Sequence, residues 1–288
     1  MHKIIRKERF TNDISLMEVE APFVARKIKP GQFIVLRLHE NGERIPLTMF
    51  ECNPETGTVA FVFMKVGKST YELDTLGEGD SILDIIGPMG KPAKIDTYGT
   101  VVCVGGGVGT PEVLPVADAL RKAGNEVIII AGYRTKNLVI LEDDLRACCD
   151  ELKICTDDGS YCTKGFTTTL LQELIDSKQS IDLVHTVGPV IMMKLVCDIT
   201  RPHGIKTLVS LNPIMLDATG MCGSCRVNVG GQMQLACVDG PEFDGHEVDF
   251  DDLMNRLNMF KKEEQEALER YKKAHPEAFP GEKGEGKI

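Results

Sequence analysis

Three cysteines and one aspartate late in the chain have the spacing of a metal-binding loop. They follow the pattern Asp217-x4-Cys222-x2-Cys225-x11-Cys237. Plant-type [2Fe–2S] loops use Cys-x4-Cys-x2-Cys and then a distant cysteine, so Asp217 stands in the place of the first ligand. Glycines within the loop allow the backbone to fold closely around such a cluster. The pattern predicts a [2Fe–2S] site with ligands Asp217, Cys222, Cys225 and Cys237.

Two alternatives use the same residues. Three cysteines and an aspartate could hold a structural zinc ion, but zinc sites usually contain two close pairs and Cys237 stands alone. Asp217 could also cap a turn while water or another residue completes the site. The chain has 10 cysteines, and we expect those outside the loop to pack as small apolar side chains.

A glycine-rich segment lies between a predicted strand, Thr100–Val104, and a predicted helix, Pro111–Ala123. Glycines permit a tight turn and the close approach of a pyrophosphate to backbone amides, and the helix N-terminus favours its negative charge. The segment lacks the full G-x-G-x-x-G pattern, so a plain strand–helix turn is the alternative. The predicted nucleotide-binding residues are Gly105, Gly106, Gly107, Val108, Gly109 and Thr110.

The choice between NADH and NADPH is open from these residues alone. The acidic residue expected after the next strand is missing, and Arg134 stands there instead. Arg134 could face a 2′-phosphate or simply be solvated.

Two polar segments interrupt the apolar strands near the N-terminus. Arginine offers paired donors to a phosphate, and a threonine hydroxyl can hydrogen-bond a flavin nitrogen. Each segment could equally be a surface turn. The candidate residues are Arg44, Pro46, Leu47 and Thr48 in the first, and Gly67, Lys68, Ser69 and Thr70 in the second.

The patterning predicts four parts. Short alternating strands in residues 1–96 predict an antiparallel β-barrel, and alternating strands and helices in 97–211 predict an α/β domain with a parallel sheet. Residues 212–248 form the cluster segment, which is too short for its own core. Residues 249–288 are expected to form one C-terminal helix, Asp249–His275, and a disordered tail, Pro280–Ile288.

Composition limits the function classes. The net charge of −10 offers no basic surface for a phosphate backbone, so nucleic acid is not expected as a partner. The longest apolar runs are too short to span a bilayer, and the N-terminus lacks an apolar stretch of signal-peptide length. We therefore expect a cytoplasmic protein without membrane contact.

The order of barrel, nucleotide domain and cysteine loop resembles the ferredoxin–NADP+ reductase superfamily, in the branch of dihydroorotate dehydrogenase electron-transfer subunits. The resemblance covers about residues 1–245. It implies FAD at the two N-terminal motifs, with Arg44 toward the phosphate and Thr48 near the isoalloxazine. It also implies that two further segments surround the nicotinamide nucleotide, which adds Asp157, Asp158, Gly188, Pro189 and Met192 to the site.

Asp217 departs from the four cysteines of that branch. An aspartate with three cysteines resembles the small subunits of NADH-dependent ferredoxin–NADP+ oxidoreductases, also described as sulfide dehydrogenases. That resemblance favours NADH over NADPH. It implies an electron-bifurcating complex with a larger flavin and [4Fe–4S] partner that resembles the glutamate synthase small subunit, and ferredoxin and NADP+ as indirect partners.

The predicted function is therefore an oxidoreductase subunit that passes electrons between NAD(H), FAD, a [2Fe–2S] cluster and a partner. No side chain is expected to act as an acid or base, because the cofactors carry the chemistry. A dihydroorotate dehydrogenase electron-transfer subunit is the first alternative. A nucleotide-binding redox sensor without turnover is the second.

Overall fold

The computed structural model describes residues 1–279. The tail predicted to be disordered, Pro280–Ile288, lies outside the described residues.

Residues 2–89 form two antiparallel sheets. Their strands are β1 (His2–Arg9), β2 (Ile14–Glu20), β3 (Phe33–Arg37), β4 (Arg44–Thr48), β5 (Glu51–Asn53), β6 (Thr58–Met64), β7 (Ser81–Ile82) and β8 (Asp84–Met89). The strand order is β5-β6-β2-β1-β7 in one sheet and β4-β3-β8 in the other. Two short helices accompany them, α1 (Pro22–Ala25) and α2 (Lys68–Thr75).

Strand β6 shows how this region is held in place. Phe61 and Phe63 point into the apolar core between the two sheets. Val62, between them, packs instead with the core of the following domain. Since successive side chains of a strand point to opposite faces, β6 is buried on both sides and attaches the first region to the second.

The second region is a seven-stranded sheet with helices on both faces. Its strands are β9 (Thr100–Gly106), β10 (Glu126–Tyr133), β11 (Glu151–Thr156), β12 (Thr163–Lys164), β13 (Leu183–Val187), β14 (Lys206–Ser210) and β17 (Glu242–Asp244). Its helices are α3 (Thr110–Lys122), α4 (Glu142–Ala147), α5 (Thr167–Asp176) and α6 (Val190–Thr200). The order is β12-β11-β10-β9-β13-β14-β17, and all pairs are parallel except β14 with β17.

Strand β9 divides its side chains between the two faces. Val101 and Cys103 pack with the apolar side of α3. Val102 and Val104 pack on the opposite side with residues of α5 and α6. A strand covered by helices on both sides carries apolar residues continuously, which is why Thr100–Val104 is so uniform in the sequence.

The remaining strands, β15 (Arg226–Val229) and β16 (Gln232–Leu235), pair as a hairpin, and β17 then joins the edge of the large sheet. The core of this segment is shared, because Cys225, Cys237 and Val227 pack with Phe33 of the first region and Met193 of α6. This agrees with the expectation that the segment is too short for a core of its own.

The C-terminal part contains two helices rather than the single helix predicted. They are α7 (Phe250–Leu257) and α8 (Lys261–Ala274). Leu253 in α7 is buried, but Phe260, in the break between the two helices, is 42% exposed. In this break the Met259 N–H donates to the Arg256 carbonyl, three residues earlier instead of the four of an α-helix. The described residues also contain four 3₁₀ turns, Gly107–Gly109, Lys136–Leu138, Arg201–His203 and Pro276–Ala278.

Candidate functional site

The strand order of the large sheet reverses between β9 and β13. From β9 the chain moves outward through β10 and β11, and then returns to place β13 on the other side of β9. In open α/β sheets, ligands bind beyond the carboxyl ends of the strands at such a point. The two segments found there are the glycine loop after β9 and the Gly188–Pro189 turn after β13.

The glycines of the loop allow these two segments to touch. A Cβ added to Gly109 would lie 2.7 Å from the carbonyl oxygen of Val187, and one added to Gly106 would lie 2.5 Å from Sδ of Met192. Helix α3 begins at Thr110 with Gly109 as its N-cap, one residue earlier than the predicted start at Pro111. The loop is therefore a cradle of bare backbone at the start of a helix.

A cleft of about 730 Å³ lies over this cradle, between the first region and the large sheet. It gathers most of the predicted nucleotide residues and one of the two flavin segments. The predicted residues that line it are Pro46, Leu47, Thr48, Gly106, Gly107, Val108, Gly109, Arg134, Asp157, Gly188, Pro189 and Met192.

Other predicted residues lie outside the walls of that cleft. Gly105 and Thr110 are buried beneath the loop. Arg44 is exposed and lines a separate depression of about 310 Å³ with Arg37 and Asp84.

The second flavin segment, Gly67–Thr70, forms the first turn of α2 rather than an interruption between strands. Gly67 is the N-cap, and the Thr70 hydroxyl accepts hydrogen bonds from the backbone N–H groups of Val66 and Gly67 at 2.9 and 3.1 Å. The Ser69 hydroxyl contacts the carboxylate of Glu43, next to Arg44. The start of α2 therefore contacts the residue that precedes the first flavin segment. N–H groups at a helix start suit a pyrophosphate.

The adjacent residues Asp157 and Asp158 have different positions. Asp157 lines the cleft near Arg134. Asp158 instead accepts hydrogen bonds from the backbone N–H and hydroxyl of Ser160 at 2.9 and 2.6 Å, which lower the pKa of its carboxyl group. Asp158 therefore stabilises a turn, and Asp157 is the carboxylate that faces the site.

Glu112 is a cleft residue that the sequence interpretation missed. It lies in the first turn of α3 and lines the cleft. Burial raises its pKa to about 7. An acidic side chain two residues after the predicted nucleotide loop was the available signal. Its position at the site depends on the fold, which places Glu112 of α3 and Thr48 of β4 in the same cleft.

The cluster loop (Asp217–Cys237) arranges its four predicted ligands as two pairs. The Sγ atoms of Cys225 and Cys237 lie 3.2 Å apart in the buried core. The carboxylate of Asp217 accepts the Cys222 backbone N–H at 3.0 Å. It accepts the Thr219 N–H at 2.7 Å as well, and this bond contributes most to the lowered pKa of Asp217.

This pairing bears on the choice between zinc and iron. Within residues 1–279, no three histidine, cysteine or acidic side chains form a group that could hold a metal ion. A mononuclear zinc site needs four donors around one point. A [2Fe–2S] cluster distributes its four protein ligands over two irons, so two neighbouring pairs fit it better than they fit zinc.

Neighbouring elements hold the cluster loop in position. Nη2 of Arg256 in α7 donates to the Ser224 carbonyl at 3.1 Å, and Nη1 of Arg226 donates to the Gly223 carbonyl at 3.1 Å. The Ser224 hydroxyl lies 3.2 Å from the Cys222 sulfur and lowers the pKa of that thiol. A lower pKa favours the thiolate, the form that binds metal.

The C-terminal helix α8 packs on its own chain. Phe279, just beyond α8, stacks on Tyr71 of α2 with ring centroids 4.5 Å apart. Tyr271 of α8 is buried nearby, 6.2 Å from the Phe279 ring. Most of the remaining surface of α8 is exposed.

Comparison with known proteins identifies the family. Residues 212–249 match the family described as the iron-sulfur cluster binding domain of dihydroorotate dehydrogenase B. The chain is 45% identical over 278 residues to a Thermotoga maritima homolog of the dihydroorotate dehydrogenase B (NAD(+)) electron transfer subunit, covering 96% of this chain and 98% of that one. The electron transfer subunit of Clostridium perfringens is 34% identical over 227 residues, covering 78% and 88%. The chain belongs to this family of electron transfer subunits.

A solved structure agrees with this assignment. A chain from the NADH-dependent reduced ferredoxin–NADP oxidoreductase, a structure described as giving insights into flavin-based electron bifurcation, superposes with a TM-score of 0.89. It is 42% identical, and the match covers 94% of this chain and 98% of that one. The predicted family, fold class and role as an oxidoreductase electron transfer subunit are confirmed. None of the helices in residues 1–279 is long and apolar enough to cross a membrane.

Proposed function

We propose that this electron transfer subunit takes electrons from NADH through bound FAD and passes them singly to a [2Fe–2S] cluster in the cluster loop. The strongest support is the set of residues that line the cleft. Three parts of the chain line the same cleft. They are the flavin segment of β4, the glycine loop after β9, and the start of the cluster segment at Asn212, Pro213 and Met215.

Bound FAD would supply the exchange between a two-electron hydride donor and one-electron acceptors. The chain's own residues bind and orient it. The first turn of α2 and Arg44 hold its pyrophosphate, and the Thr48 hydroxyl in the cleft orients its ring. The contact between Ser69 and Glu43 supports this, because Glu43 directly precedes Arg44 in the chain.

The cradle after β9 positions the nicotinamide nucleotide. Backbone amides of Gly106–Gly109 receive the pyrophosphate, and Pro189 and Met192 close the other side of the cleft. Arg134 and Asp157, beyond β10 and β11, are placed to contact the adenosine ribose. A carboxylate there accepts hydrogen bonds from the ribose hydroxyls and repels a 2′-phosphate, which favours NADH.

The cluster loop connects this cleft to a partner. Leu216, Met221 and Val238 are exposed apolar side chains around the loop, and Met221 is 88% exposed beside Cys222. Exposed apolar groups near a redox centre suit a protein contact. We propose that the partner is a larger subunit with flavin and [4Fe–4S] clusters, resembling the glutamate synthase small subunit, in a bifurcating complex that uses ferredoxin and NADP+.

Anaerobic purification tests the cofactor assignment. The protein should contain FAD, iron and acid-labile sulfide, and NADH should bleach the flavin absorbance and then reduce an artificial one-electron acceptor. Zinc without iron would contradict the cluster. Bound nucleotide without turnover would favour a redox sensor.

The partner is tested by native co-purification. A large flavin and [4Fe–4S] subunit would support the bifurcating complex. An FMN enzyme that oxidises dihydroorotate would instead support the second candidate, a dihydroorotate dehydrogenase subunit, which the matching iron-sulfur family favours.

A further inference from the structure

Ser224 lies between two of the predicted cluster ligands, Cys222 and Cys225, and its hydroxyl oxygen has two contacts. It accepts the backbone N–H of Leu216 at 3.1 Å. It also lies 3.2 Å from Sγ of Cys222. Leu216 directly precedes Asp217 in the chain. A single hydroxyl therefore contacts the backbone beside Asp217 and the sulfur of Cys222, the two members of one ligand pair.

The direction of the contact with sulfur follows from the donors and acceptors present. A serine hydroxyl has one proton to donate and two lone pairs that accept. The Leu216 N–H occupies one lone pair, which leaves the proton of Ser224 for another partner. Cysteine binds metal as a thiolate, and a thiolate sulfur has no proton to donate. Ser224 must therefore donate its proton to Cys222 when Cys222 holds iron.

The backbone around Ser224 is held independently of its side chain. Nη2 of Arg256 in α7 donates to the Ser224 carbonyl, and Nη1 of Arg226 donates to the carbonyl of the preceding Gly223. The bond from the Leu216 N–H is exposed, so water can replace the hydroxyl as its acceptor. Loss of the hydroxyl therefore removes the contact with sulfur while the loop keeps its position.

We infer that Ser224 is a positioning residue that raises the reduction potential of the cluster through its hydrogen bond to Cys222. On the proposed function, reduced FAD gives up one electron at a time, and the electron reduces one ferric iron to ferrous iron with no bond made or broken. The added negative charge spreads onto the ligand sulfurs, so a hydrogen-bond donor stabilises the reduced form more than the oxidised form. The hydroxyl of Ser224 thereby favours electron transfer from the flavin to the cluster.

Ser224→Ala tests this in the protein loaded with FAD and the cluster. The equilibrium constant for one-electron reduction of the cluster should fall about tenfold, which is ~59 mV. Because Cys222 is exposed, water replaces part of the lost bond and keeps the change from being larger. A redox titration followed by electron paramagnetic resonance of the reduced cluster measures the potential. Iron and sulfide content should equal wild type, because all four ligands remain.

A second measurement reports on the donated proton itself. Pulsed electron nuclear double resonance, before and after exchange into D2O, detects exchangeable protons close to the reduced cluster. Ser224→Ala should lose one of the couplings that the wild type shows. Ser224→Thr keeps a hydroxyl and should restore both that coupling and the wild-type potential.

Ser177→Ala is the matched control. The Ser177 hydroxyl donates to the Leu174 carbonyl at 2.7 Å at the end of α5, outside the cluster loop, and its loss should leave the potential unchanged. An unchanged potential in Ser224→Ala would overturn the inference. Loss of iron from Ser224→Ala would also overturn it, since Ser224 would then only hold the loop together. A wild-type protein that contains zinc in place of iron would instead overturn the proposed function.

Discussion

Nε2 of His185 lies 2.8 Å from Oε1 of Glu242, and both side chains are largely buried. The contact joins the middle of β13 to β17, the strand that follows the cluster loop. Burial alone would raise the pKa of Glu242, but the hydrogen bond and charge of His185 hold that pKa below its ordinary value. The pair therefore stabilises the attachment of the cluster segment to the large sheet.

Glu242→Gln tests this attachment. A carboxyl group with a depressed pKa stabilises the fold above its unfolded pKa, and the contribution is lost as pH falls through its folded pKa. The variant should lower the free energy of unfolding by about 2 kcal/mol at pH 7. The difference should narrow below about pH 4. Urea unfolding followed by circular dichroism measures both, and the exposed Glu55→Gln should match wild type. An equal free energy at pH 7 would contradict the assignment.

Asp217 both accepts backbone N–H groups and stands among the predicted ligands, and two substitutions separate these roles. Asp217→Asn keeps an oxygen for the turn but replaces the carboxylate, so the iron and sulfide content should fall. Asp217→Cys supplies a thiolate and should retain the cluster with a changed reduction potential. Metal analysis and electron paramagnetic resonance measure these outcomes.

The control for the aspartate lies in the same loop region. Asp239 accepts the Leu235 N–H at 2.9 Å, so Asp239→Asn alters a turn without touching a predicted ligand. Its iron content should equal wild type. Full cluster content in Asp217→Asn would show that Asp217 only caps the turn.

Gly109→Ala should damage the nucleotide cradle. The new methyl group would lie 2.7 Å from the Val187 carbonyl oxygen, and neither backbone segment can move without opening the loop. We expect a loss of about 1–3 kcal/mol in stability and a Kd for NADH raised about tenfold or more. Isothermal titration calorimetry measures the affinity. Gly77→Ala is the control, because its nearest neighbour would be 3.9 Å away. Unchanged NADH affinity would place the nucleotide elsewhere.

Asp157 and Asp158 form a natural pair for testing nucleotide preference. Asp157→Asn removes the carboxylate that faces the cleft, so the ratio of kcat/KM for NADH to that for NADPH should fall about tenfold, or ~1.4 kcal/mol. Asp158→Asn changes only the turn at Ser160 and should preserve the ratio. Steady-state kinetics with both nucleotides measures this ratio. An unchanged ratio in Asp157→Asn would show that another residue determines the preference for NADH.

Local patterns carried the sequence predictions that the structure supports. Strand β9 could be located because both faces are covered by helices, which leaves a continuous apolar run. The cluster loop could be located because its ligand spacing is short. The position of Glu112 in the cleft could not be predicted, because it depends on how the first region lies against the large sheet. The break between α7 and α8 could not be predicted, because apolar residues recur at helical spacing through it. The structure shows that Phe260, in the break, is 42% exposed.

The chain leaves the large sheet after β14, forms the cluster loop and returns to the sheet at β17. Strands β14 and β17 are direct neighbours. Both stems are thus fastened to the same sheet edge, unlike a redox module tethered by a flexible linker. Such a loop cannot swing between donor and acceptor as a carrier. The distance that electrons tunnel from the cleft to the cluster is therefore fixed by the fold. Any motion that carries electrons further must occur in the partner protein.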